Sequence, residues 1–515
     1  MNPEKGFINT PQTRQIKNIV LIEHKAQGFH VFSRYKLPRL GLPLLGAVLE
    51  QEMGASVKIY FQECSKIDWE EVMDADLVGI STITTTAPAA YGMVERIKKA
   101  KDIQVVMGGA HVSFLPDEGL EKGADFVVRG EGERTLVELI EHIQDGRDPA
   151  GIAGLSYRRD GEIVHNPDRE RINELSTLPW PNLSLIQGFD ARTIIPIMTS
   201  RGCPFDCTFC TVTAMFGRKY RFRDTDDVMA ELESLYQRNP KAIFFFYDDN
   251  FTAAPSHTKE LLRRMKEKGI TPRWTAQTRV DVVNDDELMQ LMEDTGCMFL
   301  YLGLESSNPE TLKAYNKAQT VQDIEKAVRV IHQHKIKVHG MFVMGSDEDD
   351  KESIRETVRF SKKAGIDTVQ YMILTPIPGS GTYKEMCRQD RIFVDDWTKF
   401  SGHHVVFRPL KMTPFQLQKE AGIKATRKFY SRAQAWKFGF SFRFRDMVLS
   451  IYGHKMLMKW KNRNRYWLSE LKHGYKAERA HGKQVQLDLE ESCAGMEPVK
   501  NKKGSGHNRE FAGVE

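Results

Sequence analysis

The chain has 515 residues, 41% of them hydrophobic and 28% charged, with a formal net charge of +5, a composition that suits an ordinary water-soluble protein with two or three cores of its own. It holds no apolar run of about 18 residues and opens with no cationic leader followed by an apolar stretch, so neither a membrane span nor export is expected. Seven cysteines, three clustered and Cys64, Cys297, Cys387 and Cys493 scattered, exclude a disulfide framework and suit a reducing, cytoplasmic setting.

In chain order, apolar runs at 18–22, 56–61, 77–81, 104–109 and 126–130 alternate with helical patterns. Short apolar strands separated by helices predict a doubly wound parallel sheet of five strands over residues 1–146. Ligands of such sheets lie beyond the carboxyl ends of the strands. The candidates there are Ser81, Thr82 and Thr84 after the third strand, Gly108 and Gly109 after the fourth, and Gly130 and Glu131 after the fifth. Glycines at these ends let a bulky planar ligand approach the backbone, or serve only tight strand-to-helix turns. Residues 147–193 read as a connector carrying one hairpin, with Asp160-Gly161 at its turn and Pro179-Trp180-Pro181 breaking the chain before the next domain.

Strand–helix alternation resumes over 194–387, with apolar runs at 194–198, 242–247, 298–304, 338–344 and 368–374 and a weaker one at 273–278. Six strands predict a partial (β/α)6 barrel, open on one side. Just after the first run comes Ser200-Arg201-Gly202-Cys203-Pro204-Phe205-Asp206-Cys207-Thr208-Phe209-Cys210. Three thiolates on one tight loop can hold three corners of a four-iron, four-sulfur cluster and leave one iron open to chelate a small molecule, whereas a structural zinc site wants four closed ligands. Phe244-Phe245-Phe246 reads as a buried strand, and His339, His403 and His404 as structural or solvated rather than metal ligands.

Cys-x3-Cys-x2-Cys with Phe209 before the last cysteine resembles the signature of the radical S-adenosylmethionine (radical SAM) superfamily. The resemblance implies that Cys203, Cys207 and Cys210 hold the cluster. Its open iron would bind the amino and carboxylate groups of SAM and reduce it to a 5′-deoxyadenosyl radical. It also implies SAM contacts from Phe209, from Asp248 and Asp249 (or a helix cap there), from Gln277 and Arg279, from Glu305 and Ser306 toward the ribose, and from the glycine-flanked strand Gly340 to Gly345 near the adenine. A doubly wound domain ahead of such a core, with Met107-Gly108-Gly109-Ala110-His111 and Val128-Arg129-Gly130-Glu131-Gly132-Glu133 at its strand ends, is similar to the cobalamin-binding branch. Cobalamin is then the implied ligand of Ser81, Thr82, Thr84, Gly108, Gly109, Gly130 and Glu131. The Asp-x-His-x-x-Gly signature of other cobalamin proteins is absent: the turn reads Glu23-His24-Lys25-Ala26-Gln27-Gly28, with lysine where the cobalt-ligating histidine would stand.

The last part changes character. Residues 388–483 form a basic, aromatic region expected to be α-rich, with 16 Lys and Arg against three acids between Lys424 and Lys483, while 484–515 read as a disordered tail. Phe438, Phe440, Phe442 and Phe444 alternate with other residues, which puts four rings on one face of an extended stretch. Two readings stay open: peripheral contact with the inner face of a membrane or a lipid-like substrate, and a packed cap under the barrel. No familiar nucleic-acid motif accompanies the charge, and no nucleic acid is expected. For the whole chain the resemblance implies a cobalamin-dependent enzyme methylating an unactivated carbon, with a flavodoxin- or ferredoxin-type electron donor. The alternatives are an oxidative cyclase of the same branch and, from another class, a non-catalytic iron–sulfur electron-transfer or binding module.

Overall fold

Strand β1 (Asn18–Glu23) is buried along all but its first residue, because apolar clusters pack against both faces of the sheet it centres. The computed structural model containing it describes residues 15–26, 37–192, 194–431, 433, 435–436 and 444–474. Parallel to β1 lie β2 (Ser56–Phe61) on one side and β3 (Leu77–Ser81), β4 (Gln104–Gly108) and β5 (Phe126–Val128) on the other. The hairpin around Asp160-Gly161 forms, with both residues at positive φ, but it does not stand apart as a connector. Its strand β6 (Leu155–Arg159) pairs antiparallel with β5, β7 (Glu162–His165) pairs antiparallel with β6, and the sheet extends to seven strands.

The second sheet has six parallel strands, as the apolar runs predict: β8 (Ile194–Ile197), β11 (Ile243–Phe246), β12 (Arg273–Thr278), β13 (Cys297–Glu305), β14 (Lys337–Met344) and β15 (Thr368–Ile373), side by side in that order. Between the first two sits a two-residue ladder of β9 (Ser200–Arg201) with β10 (Arg221–Phe222). Phe244, Phe245, Phe246 and Trp274 are buried in the core, with the indole N–H of Trp274 satisfied by the Thr295 carbonyl at 3.0 Å. Helices on the outer face start at side-chain caps readable in sequence, Thr320 with Asp323 and Asp350 with Ser353.

Helices Phe444–Arg463 and Arg465–His473 and a π-helical stretch Gln418–Ala425 make the C-terminal region helical, as expected. Gln418 fastens it: its side-chain oxygen accepts from the Val405 N–H at 3.1 Å and the Trp467 indole N–H at 3.0 Å. Phe444 opens a helix, so the two-residue alternation does not run through it; Phe438, Phe440 and Phe442 lie outside the described residues, as do Cys493 and 484–515. Among the described residues no helix is long and apolar enough to cross a membrane.

Candidate active site

The three cysteines lie on the loop that follows β9, the short strand after β8. Gly202 turns the chain at φ 92°, and a Cβ there would meet the Lys219 carbonyl oxygen at 2.5 Å, so the turn requires glycine. The loop beyond is held from two sides. Thr208 N–H donates to the Tyr315 carbonyl at 3.2 Å, and the Thr208 carbonyl accepts from Thr382 N–H at 2.9 Å. Phe209 packs edge-on against Tyr315, with ring centroids 5.0 Å apart. The aromatic residue of the signature therefore braces the loop.

Cys203, Cys207 and Cys210 are partly exposed free thiols. Burial pushes Cys210 up to about 12 and raises Cys203, so both are protonated at neutral pH until a metal displaces the proton. Among the described residues no three His, Cys, Asp or Glu side chains converge on one ion, as thiolates about 4 Å apart around a single zinc would.

The strand ends around this loop divide into ligand-ready and occupied groups. Asp248 is occupied: its buried carboxylate accepts from the Thr199 N–H and hydroxyl, each at 3.1 Å, and from the Ser200 hydroxyl. Burial raises it to about 6 even so. Its carboxylate caps no helix and is engaged within the protein, where it ties β11 to the segment entering the cysteine loop. Asp249 reaches solvent, yet crowding by protein and the neighbouring Asp248 raise its carboxyl to about 7. Gln277 is half-buried at the end of β12, where its carbonyl accepts from Phe251 N–H at 2.9 Å. Arg279 is buried, its guanidinium 3.7 Å over the Phe205 ring and one terminal nitrogen donating to the Ala318 carbonyl, while its Nε has no hydrogen-bond partner. That Nε lies 3.9 Å from the Asp281 carboxylate, outside hydrogen-bond distance, so the buried cation keeps donor capacity for a carboxylate ligand.

Glu305 closes β13 at a register shift with φ 59°, and its carboxylate is already paired with Lys317 at 2.8 Å. Ser306 is buried and its hydroxyl accepts from Asn308 N–H at 3.0 Å. Gly340 is closely packed: a Cβ there would meet Leu304 at 3.0 Å, Phe342 at 3.1 Å and Ile366 at 3.2 Å. Gly345 is a turn at φ 106° whose N–H donates to Asp349 at 2.8 Å.

Register alone brings Ser81 and Gly108 side by side at the ends of β3 and β4 of the N-terminal sheet. Thr82 donates its hydroxyl to the Gly108 carbonyl at 2.9 Å, Gly109 turns at φ 91°, and nothing lies within 4 Å of where a Gly130 Cβ would be. The open space at Gly130 suits a flat macrocycle, whereas Gly109 closes on Thr82, whose carbonyl oxygen a Cβ would meet at 2.4 Å. Thr84 is buried against His111, 3.4 Å from its Nδ1. Glu131 is not free for a ligand. Its carboxylate accepts from Arg221 at 2.7 and 3.0 Å, from Ile172 N–H at 2.9 Å and lies 3.3 Å from Arg201. Burial opposes its charge, but the two arginines outweigh it and hold the carboxyl below its usual value. Arg201 also pairs with Glu133. His24 turns its Nδ1 to the Gln62 side chain at 3.2 Å, and its buried Nε2 has no hydrogen-bond partner; burial lowers its pKa, so the ring is neutral. Lys25 is exposed.

Sequence reasoning missed Arg201, Arg221, Glu133, Lys317 and Tyr315. Arg201 sat inside the signature itself, and only its spatial partner across 68 residues reveals its use.

A thiol triad on an open parallel half-barrel, fastened to a second parallel sheet with a bare glycine edge, defines an enzyme that pairs a metal cluster with a large planar cofactor. The radical SAM superfamily model matches residues 197–361 and the B12 binding domain model residues 32–140. An uncharacterized methyltransferase of Pyrococcus horikoshii is 31% identical over 408 residues, covering 77% of this chain and 88% of that protein. The bacteriochlorophyllide d C-12(1)-methyltransferase of Chlorobaculum tepidum is 31% identical over 369 residues, covering 70% and 76%. Among solved structures, the cobalamin-dependent SAM radical enzyme OxsB, with aqua-cobalamin and SAM bound, superposes with a TM-score of 0.65 at 15% identity over 94% of this chain and 84% of that one. The chain belongs to the cobalamin-binding radical SAM enzymes, whose cofactors are a four-iron, four-sulfur cluster, SAM and cobalamin.

Proposed function

We propose that this enzyme transfers a methyl group to an unactivated carbon of a hydrophobic substrate. The observation that carries the reading is the buried clasp of Arg201 and Arg221, from the cysteine hairpin, on Glu131 and Glu133, from the end of the cobalamin-type sheet. It fastens the two cofactor seats to each other, as a reaction that uses both at one carbon requires. In this family the bound cluster and cobalamin supply the radical-generating electron and the methyl group. The chain's own residues hold and orient. Cys203, Cys207 and Cys210 would bind the cluster, Arg279 would offer its Nε, which makes no hydrogen bond within the protein, to the SAM carboxylate, and Asp249 would offer a solvent-reachable carboxylate to the SAM ammonium. Glu305 and Ser306 lie at the strand end nearest Lys317, for the ribose, and Ser81, Thr82, Gly108, Gly109 and Gly130 form the corrin edge. A flavodoxin- or ferredoxin-type protein supplies the electron.

The test is product mass. Reduced, reconstituted enzyme is incubated with SAM carrying an isotopically labelled methyl group and with apolar fractions of a cell extract. A product gaining one labelled methyl group is expected. A product that instead loses hydrogen and gains a ring would replace methylation by oxidative cyclisation.

A further inference from the structure

We infer that the helix Phe444–Arg463 is a docking face for the surface of a bilayer carrying anionic lipid, independent of the reaction proposed above. One face of this helix is consumed by packing. Gly453 lies against the ring of Tyr430, a Cβ there falling 2.7 Å from it, and Leu457 and Trp460 are buried. At 100° per residue these three occupy one side of the helix, and Val448, Ile451, Lys455, Met458 and Lys459 fall within about 100° of one another on the opposite side. That opposite side is open to solvent: Val448 is 59%, Ile451 51% and Met458 40% exposed, and both lysines are exposed. A helix that is apolar on the face away from its own core carries more apolar surface than the fold uses. Trp436 and Tyr466, amphipathic rings of the kind found at membrane interfaces, are 69% and 70% exposed on neighbouring segments.

Charge selects the occupant. The 16 Lys and Arg against three acids between Lys424 and Lys483 give this region a charge of +13, so the rest of the chain carries −8 against the total of +5. A second copy meeting the same face would bring like charges together and set Lys455 inside an apolar seam. A nucleic-acid backbone would satisfy the lysines and leave the three apolar side chains idle. An anionic bilayer satisfies both, with Val448, Ile451 and Met458 entering the headgroup boundary and the lysines resting on the phosphates.

The experiment is co-sedimentation of the full-length protein with vesicles of phosphatidylcholine alone and of phosphatidylcholine with phosphatidylglycerol, at low and high salt. The expected result is binding to the anionic vesicles at least roughly tenfold tighter than to the neutral ones, weakened by salt. Val448→Gln/Ile451→Gln/Met458→Gln should lose roughly tenfold or more at either salt, because the apolar contact is gone. Lys455→Glu/Lys459→Glu alters only exposed positions. It should lose binding at low salt and differ little from wild type at high salt, so the outcome is readable if the triple variant fails to fold. No binding to anionic vesicles, or equal binding by wild type and both variants, overturns the inference. So does wild-type self-association in the ultracentrifuge that the triple variant abolishes, which would assign the face to a second copy.

Discussion

The parallel strands of the two sheets are built by the same rule, strands alternating with helices, and finish differently. In the barrel sheet the strand ends carry titratable groups with unspent capacity: Asp249 reaches solvent with its carboxyl at about 7, and Arg279 keeps one buried donor without a hydrogen bond. In the N-terminal sheet the candidate ligand positions after β3, β4 and β5 are serine, threonine and glycine, and Glu131 beside them is consumed by arginines from the segment around the cysteine loop. The difference follows from what each must hold. A small zwitterion is fixed by point charges, whereas a large flat ring needs an edge cleared of side chains.

If the barrel ends do the chemistry, Cys207→Ala gives the largest effect. One corner of the cluster is lost, so iron content and visible absorbance after anaerobic reconstitution fall to background, and SAM cleavage is lost with them. The same change at Cys64, Cys297, Cys387 or Cys493 leaves the cluster intact. A Cys207→Ala protein with full iron and undiminished SAM cleavage would remove the site from the barrel altogether.

The clasp between the sheets comes next. Glu131, Arg201 and Arg221 are each under a tenth exposed, and removing one member of a buried ion pair leaves the others uncompensated, a loss of about 3–5 kcal/mol. Arg221→Met should cost that much in denaturant unfolding, and Glu131→Gln/Arg221→Met should cost less than the single change. Because the carboxyl of Glu131 is held below its usual 4.5, its share of stability is present above that value and fades as the pH drops through its lower folded value. A cost under about 1 kcal/mol for Arg221→Met would mean that the clasp is solvated and the sheets are not locked together.

Much of this was legible in the chain because it is written locally. Continuous apolar runs announced both sheets, and three cysteines within eight positions announced the cluster. What was not legible is non-local. Asp248 and Asp249 look equivalent in sequence, yet one is turned inward onto Thr199 and Ser200 and the other outward. Gly340 looks like a ligand-side glycine until Leu304, Phe342 and Ile366 close around it. Glu131 reads as a ligand contact until Arg221, 90 residues away, takes its carboxylate. The hairpin at 155–165 was recognisable, but its attachment to β5 depends on an edge strand that only the assembled sheet exposes.

The contrast between the two adjacent aspartates can be sharpened by pH. The raised carboxyl of Asp249 is ionised above about pH 7 and neutral below it, and only the ionised form attracts the ammonium of SAM. SAM affinity of the reconstituted enzyme, read by equilibrium dialysis, should therefore tighten by about three- to tenfold from pH 6 to pH 8, the size of one charge-assisted contact. Asp249→Asn should flatten the profile. Asp248→Asn should keep its slope, because that side chain faces Thr199 and Ser200. A flat wild-type profile would place the ammonium elsewhere.

The smallest effect probes whether the bare edge of the N-terminal sheet is covered by the chain itself. Trp397, in the segment after the barrel, donates its indole N–H to Glu118 at 3.0 Å, and Glu118 also accepts from Tyr91 at 2.9 Å and lies 3.2 Å from His111. The Trp397 ring meets His111 edge-on at 5.1 Å and Phe400 at 4.7 Å. Trp397→Phe keeps an aromatic ring against both neighbours and deletes one donor. Glu118 retains Tyr91 and His111, so the carboxylate is not orphaned, and the loss is that of a single hydrogen bond to a charged acceptor, about 1.5 kcal/mol. In a domain of this size that is a fall in melting temperature of roughly 3–6 °C. Tyr91→Phe removes a different donor from the same carboxylate and should cost a similar amount, while the two together should cost more than their sum, because Glu118 then keeps only His111. Strict additivity would mean that the three donors act separately and that Trp397 merely rests on the sheet.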